Sequence, residues 1–83
     1  DDADLINLLS SVSGLLVVVL FIQQSPDRVK VSWRAAEGID VSALAFEFGG
    51  GGHAAAAGAD VEGSLDEVVG KVLAKTKQLL AVS

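Results

Sequence analysis

The stretch FGGGGHAAAAGA at residues 48–59 concentrates the residues of this chain that could do chemistry. Four consecutive glycines, residues 49–52, run directly into His53, the single histidine of a chain without cysteine. Successive glycines free the backbone from ordinary steric limits, so their N–H groups can converge on an anion and a ligand can come close. His53, at the end of that run, is placed to face such a ligand. The plain alternative is that the glycines only end a helix and link it to a strand. One glycine would serve for that, and four lose backbone entropy that a bare connector need not lose. Two familiar glycine motifs are excluded. A P-loop requires a lysine and a Ser or Thr after its last glycine, and the dinucleotide fingerprint requires its glycines between a strand and the following helix.

A second group lies upstream. Arg28, Lys30, Ser32 and Arg34 alternate with Val29, Val31 and Trp33, so an extended segment puts the first four on one face and the apolar three on the other. Arg34 alone reads as a solvated strand arginine. Three cations on one face of a chain with net charge −5 are a stronger pattern. The guanidinium fork suits phosphate geometry. An arginine, backbone amides and an imidazole together can hold a phosphate or a nucleotide, but they do not explain hydrolysis. A two-metal phosphoesterase needs a cluster of aspartates and histidines. Asp60, Glu62, Asp66 and Glu67 are better explained as helix-capping and solvated residues. No metal site is expected in this chain, and it is not expected to be a catalyst alone.

The elements that must position these groups follow from pattern. Acidic residues at 1, 2 and 4, apolar Leu5, Leu8, Leu9 and Val12, and then Gly14 predict a helix over 2–12. Residues 15–24 are apolar at odd and even positions alike and predict a strand buried on both faces. Ser25, Pro26 and Asp27 make a turn, and residues 28–36 return as its antiparallel partner. Asp40 is the expected N-cap of a short helix carrying Val41, Leu44, Ala45 and Phe48. Residues 55–62 predict a weaker third strand. Ser64 and Glu67 form a capping box ahead of a helix striped by Leu65, Val68, Val69, Val72, Leu73, Thr76, Leu79 and Leu80. The expected fold class is α+β: a small mixed β-sheet with helices packed on one face and the glycine-rich loop at the open face.

At 83 residues the chain is a single domain, 1–83, and 51% of it is hydrophobic. The acidic balance argues against a module that tracks long duplex nucleic acid. The longest apolar run, residues 15–22, is far short of the ~20 residues of a membrane span, so no membrane partner is expected. The lack of cysteine makes a reducing, cytoplasmic setting the default. A first residue other than methionine hints at a piece of a longer protein.

Three segments together resemble a known family: VKVSWRA at 29–35, DVSALAFEFGGGGHAAAAGA at 40–59 and EGSLDEVVGKVL at 62–73. They are similar to the C-terminal DHH-associated domain of DHH-family phosphoesterases, nearest the oligoribonuclease and phosphoadenosine-phosphate phosphatase branch. That branch is related to RecJ-type exonucleases and cyclic-di-AMP phosphodiesterases. The resemblance covers nearly the whole chain, and its signature is GGGGH followed by Ala56, Ala57 and Gly58. It implies a substrate-binding lobe whose partner, an N-terminal Asp-His-His lobe, binds manganese and lies outside these residues. It also implies that Gly50, Gly51, Gly52 and His53 contact the substrate phosphate, with His53 near the scissile bond as the catalytic-site residue. Arg34 would hold the substrate phosphate or base, with Ser32 beside it. Trp33 stands where the family usually has leucine, an expected core change, and Ala35 where it often has serine. The implied substrate is a short oligoribonucleotide or a nucleotide phosphate.

Two other readings stand beside this one. The C-terminal RNA-binding module of alanyl-tRNA synthetases shares a glycine-rich loop, but a histidine is not expected after its glycines. A dimerisation domain is the third: the strand at 15–22 could pair across a homodimer if it lies at a sheet edge.

Overall fold

The structure, a computed structural model, describes residues 7–12 and 16–82, with residues 7–12 and 82 described by backbone alone. Its strands are β1 (Asn7–Val12), β2 (Val17–Ser25), β3 (Arg28–Ala35), β4 (Gly51–His53) and β5 (Ala56–Glu62); its helices are α1 (Ser42–Glu47) and α2 (Leu65–Val82). The sheet order is β1-β2-β3-β5-β4. The α+β class holds. Every described pairing is antiparallel, however, where a mixed sheet was expected. The chain leaves β3 through α1 and returns along β4, so β5 enters the sheet opposed to β3.

Strand alternation builds the core. Val17, Val19 and Phe21 of β2, Val29, Val31 and Trp33 of β3, and Ala57, Ala59 and Val61 of β5 are all buried. Helix α1 covers β4 and β5 with Leu44 and Ala45, while α2 lies along β1, β2 and β3 and buries Val68, Val72 and Thr76. Each full burial of such an aliphatic or aromatic side chain stabilises the fold by ~1.5–3 kcal/mol. Trp33, fully buried, is the largest of these side chains. Its indole Nε1 donates to Thr76 Oγ1 at 3.1 Å, and that hydroxyl donates to the Val72 carbonyl at 2.7 Å. Its ring also stacks on Phe48, with centroids 6.0 Å apart. One residue thus ties β3 to α2 and to the end of α1, and its position where leucine was expected is a core change.

Several expectations need correction. Residues 7–12 are a strand, not part of a helix over 2–12; residues 1–6 lie outside the described residues. Leu8, Leu9 and Val12 fit a helical spacing, but this segment takes its backbone bonds from β2. Strand β2 is buried on one face only. Val18, Leu20 and Ile22 look toward the open side and are half-buried. Because β2 is paired with β1 and β3, its edges are occupied, which removes the homodimer route through that strand. Asp40 stands one residue before the N-cap, Val41, but its carboxylate still accepts the Ser42 N–H at 2.8 Å. That bond, and first of all the one from the Ser42 hydroxyl, lowers the Asp40 pKa.

The capping box forms as expected. The Ser64 N–H donates to Glu67 Oε1 at 3.0 Å, and the Glu67 N–H donates to Ser64 Oγ at 3.2 Å. The bond from the Ser64 N–H foremost, and one that the Ser64 hydroxyl donates to the same Oε1 at 3.2 Å, hold the Glu67 carboxyl below its ordinary 4.5. A depressed carboxylate stabilises the fold fully above its unfolded value, and that contribution is lost as pH falls through the folded one. Urea midpoints should therefore drop on acidification below 4.5, and Glu67→Gln should flatten this part of the profile. Within the core, Thr76→Val should leave the indole N–H without its acceptor and lower stability by ~1–3 kcal/mol in denaturant unfolding.

Candidate functional site

The open face of the sheet is where the residues singled out in sequence meet. The loop that reaches it begins with the end of α1. Gly49, at φ +86°, donates its N–H to the Phe46 carbonyl at 3.0 Å, and Gly50 donates to the Ala45 carbonyl at 2.8 Å. This is a Schellman arrangement, which closes the helix and turns the chain toward β5. The second half of the glycine run, expected as loop, is the short edge strand β4. A two-residue turn, Ala54 and Ala55, joins it to β5. The Ala54 carbonyl accepts from the Val41 N–H and the Ala55 carbonyl from the Ala35 N–H, each at 2.9 Å. The turn beside His53 is therefore pinned to both β3 and the entry of α1.

The glycines differ in what they do. A Cβ on Gly50 would lie 2.0 Å from the Gly58 carbonyl oxygen, and one on Gly52 would lie 2.5 Å from the Ala57 Cα. Both are demanded by the close approach of β4 to β5. Gly58 is itself tight against the Val31 carbonyl, 3.1 Å from its would-be Cβ. Gly51 has nothing within 4 Å of a would-be Cβ and lacks a positive φ. The fold does not require glycine there, and its bare backbone faces solvent.

Register brings the polar residues into rows, because residues directly opposite in antiparallel strands share a face. One row runs Val18, Arg34, Ala56, His53, and the next Leu20, Ser32, Gly58, Gly51. A third runs Ile22, Lys30, Asp60. Across two strand spacings Arg34 and His53 are ~10 Å apart, with only the Ala56 methyl between them. Both side chains are exposed. Arg34 Nη1 donates to the Trp33 carbonyl at 3.0 Å, which leaves the rest of its donor fork toward solvent. Lys30, Ser32, Arg34, Gly51 and Gly52 line one groove of about 320 Å³. Gly50 lines an adjoining one with Gly49, Lys30 and Asp60. Arg28 is set apart, paired with Glu62 at 3.7 Å.

Lys30 and Asp60 were not chosen as site residues in sequence. Strict alternation already put Lys30 on the face of Arg34, but the β3–β5 register that places Asp60 opposite it is visible only in three dimensions. Among the described residues no three His, Asp or Glu side chains gather to hold a metal. The described residues thus do not fit a metal centre. No described helix is long and apolar enough to cross a membrane.

The model of the DHHA1 domain family matches residues 3–81, and the chain belongs to that family. It is 37% identical over 81 residues to a Thermus thermophilus protein described as a bifunctional oligoribonuclease and PAP phosphatase NrnA, covering 96% of this chain and 25% of that protein. A Mycoplasma genitalium protein of the same description is 36% identical over 59 residues, covering 71% of this chain and 18% of that protein. The chain thus spans about a quarter or less of the length of these relatives.

The division among the glycines gives a direct check by thermal unfolding. Gly50→Ala and Gly52→Ala should each destabilise the domain by ~1–3 kcal/mol through forced overpacking. Gly51→Ala should be neutral or stabilising by up to ~1 kcal/mol, because its backbone already suits alanine.

Proposed function

We propose that this chain is the substrate-binding lobe of a manganese-dependent phosphoesterase that acts on nucleotide phosphates or short oligoribonucleotides. The observation that carries the reading is the row Arg34, Ala56, His53, with Ser32 and Gly51 in the row beside it. A guanidinium on one side, an imidazole on the other, one methyl between them and the bare backbone of Gly51 in the next row suit a phosphate flanked by a sugar. Burial of Trp33 and the pinned turn at Ala54 and Ala55 hold the two ends of that row in place before any ligand arrives.

The names of the relatives supply the reaction class by analogy, as oligoribonuclease and nucleotide phosphatase. On this reading Arg34, Ser32, Gly50, Gly51 and Gly52 bind substrate, and His53 faces the scissile bond as the one catalytic-site residue of this lobe. The metal ion belongs to an N-terminal Asp-His-His lobe of the longer protein, in a cytoplasmic setting. Metal would supply the activated water. The residues here would orient the phosphate and screen its charge.

Titration of the chain with adenosine 5′-monophosphate should shift the amide resonances of Arg34, Gly51 and His53. Shifts confined to α2 would sink the site assignment. Arg34→Ala should weaken binding about tenfold or more, the loss of a charge-assisted hydrogen bond. Gly51→Ala should weaken it while the fold stays intact. The chain alone, supplied with manganese, should show no hydrolysis; turnover by it would overturn the two-lobe assignment. Preferential affinity for folded tRNA with a steep salt slope would instead favour an RNA-binding module of the synthetase type.

A further inference from the structure

The sheet ends on β4 at one side and on β1 at the other. Strand β4 is three residues long, and a very short strand is one way in which proteins blunt a free edge. Strand β1 is six residues long, and its sequence NLLSSV holds neither a charge nor a proline, the other common protections. Among the described residues no strand pairs with its outer side.

Hydrogen-bond phase decides which groups that side presents. In an antiparallel strand each residue turns its N–H and C=O to one side, and the next residue turns them to the other. The Ala36 N–H donates to the Leu16 carbonyl at 2.8 Å, one step beyond the Val17–Ala35 pairing. Leu16 and, by alternation, Val18, Leu20 and Ile22 therefore bond toward β3, while Val17, Val19 and Phe21 bond toward β1. Those three stand opposite Val12, Ser10 and Leu8. These β1 residues use their backbone groups on β2, which leaves the N–H and C=O of Asn7, Leu9 and Ser11 turned outward. The outward set is self-complementary. About a twofold axis at Leu9, that residue meets Leu9 of a second copy, and Asn7 meets Ser11 of the second copy. Every outward group then has a partner, in about six backbone hydrogen bonds.

We propose that β1 is a self-association edge, through which two copies of this chain pair antiparallel and join their five-stranded sheets into one continuous sheet. The occupant is a second copy because the three outward residues pair with themselves without a register shift, and an uncharged strand does not repel its own copy. The homodimer route expected at residues 15–22 thus passes through the neighbouring strand. Strand β1 lies at the opposite edge from β4, so the groove at Arg34 and His53 stays open in the dimer. The proposal stands or falls independently of the nucleotide-binding reading.

One strand pair is a small interface, so the dimer should be weak, with a Kd on the order of 100 µM. Sedimentation velocity of the chain from about 10 µM to about 1 mM should show monomer giving way to dimer. Amide hydrogen exchange reads the phase directly. The Leu9 and Ser11 amides should gain protection as concentration rises, while those of Leu8, Ser10 and Val12 are protected at every concentration. Ser11→Pro removes an outward N–H and should abolish the dimer with β1 still paired to β2. Ser10→Pro removes a bond to β2 and should lower the thermal midpoint instead. Should Ser11→Pro fail to fold, the exchange pattern of the unaltered chain decides. A monomer throughout, a dimer that a folded Ser11→Pro chain still forms, or Leu9 and Ser11 protection that does not change with concentration would overturn the proposal.

Discussion

The burial of Trp33 is the constraint on which the rest of this structure depends. Its indole fills the space between the sheet and two helices, and its one polar atom is satisfied by a hydroxyl that is itself anchored to the turn before it in α2. An indole N–H in such a place without an acceptor would be costly, so Thr76 at the corresponding turn of α2 sets where that helix sits along β3. The stack on Phe48 sets the exit of α1, and with it the point at which the glycine run begins. Arg34 is the next residue on the same strand and points the opposite way. The position of the arginine on the open face and the position of the loop are therefore fixed by one side chain on the hidden face.

The small residues of β5 follow from the same crowding. Ala57 and Ala59 face the core opposite Trp33 and Val31. Their short side chains leave room for α1 to lie close to β4 and β5. On the outer face Gly58 leaves no side chain between Ser32 and Gly51. Residues that look inert in the sequence thus act by what they omit: methyl groups and hydrogens let backbones approach where larger side chains would separate them. The chain is acidic overall, yet its groove carries Lys30 and Arg34, so the local field there opposes the net charge.

Much of the architecture was legible in particular residues. The alternation from Arg28 to Arg34 gave both the core face and the polar face of β3. The turn at Pro26 and Asp27 gave the hairpin, and Ser64 with Glu67 gave the start of α2. These signals are local: a turn, a cap or a period of two is set by neighbours within a few residues. The failures are of another kind. Residues 7–12 show leucines at helical spacing, but Ser10 and Ser11 are weak helix formers, and pairing with β2 decides the outcome. Strand β2 reads as apolar on both sides, and no pattern within it says which side the helices cover. Residues 51–53 have almost no strand propensity; they become a strand because β5 offers them a ladder and because Gly50 and Gly52 can come near enough to use it.

For the site, the sequence by itself determined the chemical inventory: a guanidinium, an ammonium, one imidazole and a run of bare backbone. It also determined which β3 side chains share a face, because that depends only on alternation. Only the tertiary structure decided the distances among them. Arg34 and His53 are 19 positions apart in the chain, and it is the β3–β5–β4 register that sets them across a single alanine. The same register puts Asp60 beside Lys30 and separates Gly51, open to a ligand, from Gly50 and Gly52, held against β5. Pairing between strands distant in sequence depends on the packing of the whole core, with Trp33 at its centre, and no local pattern encodes it.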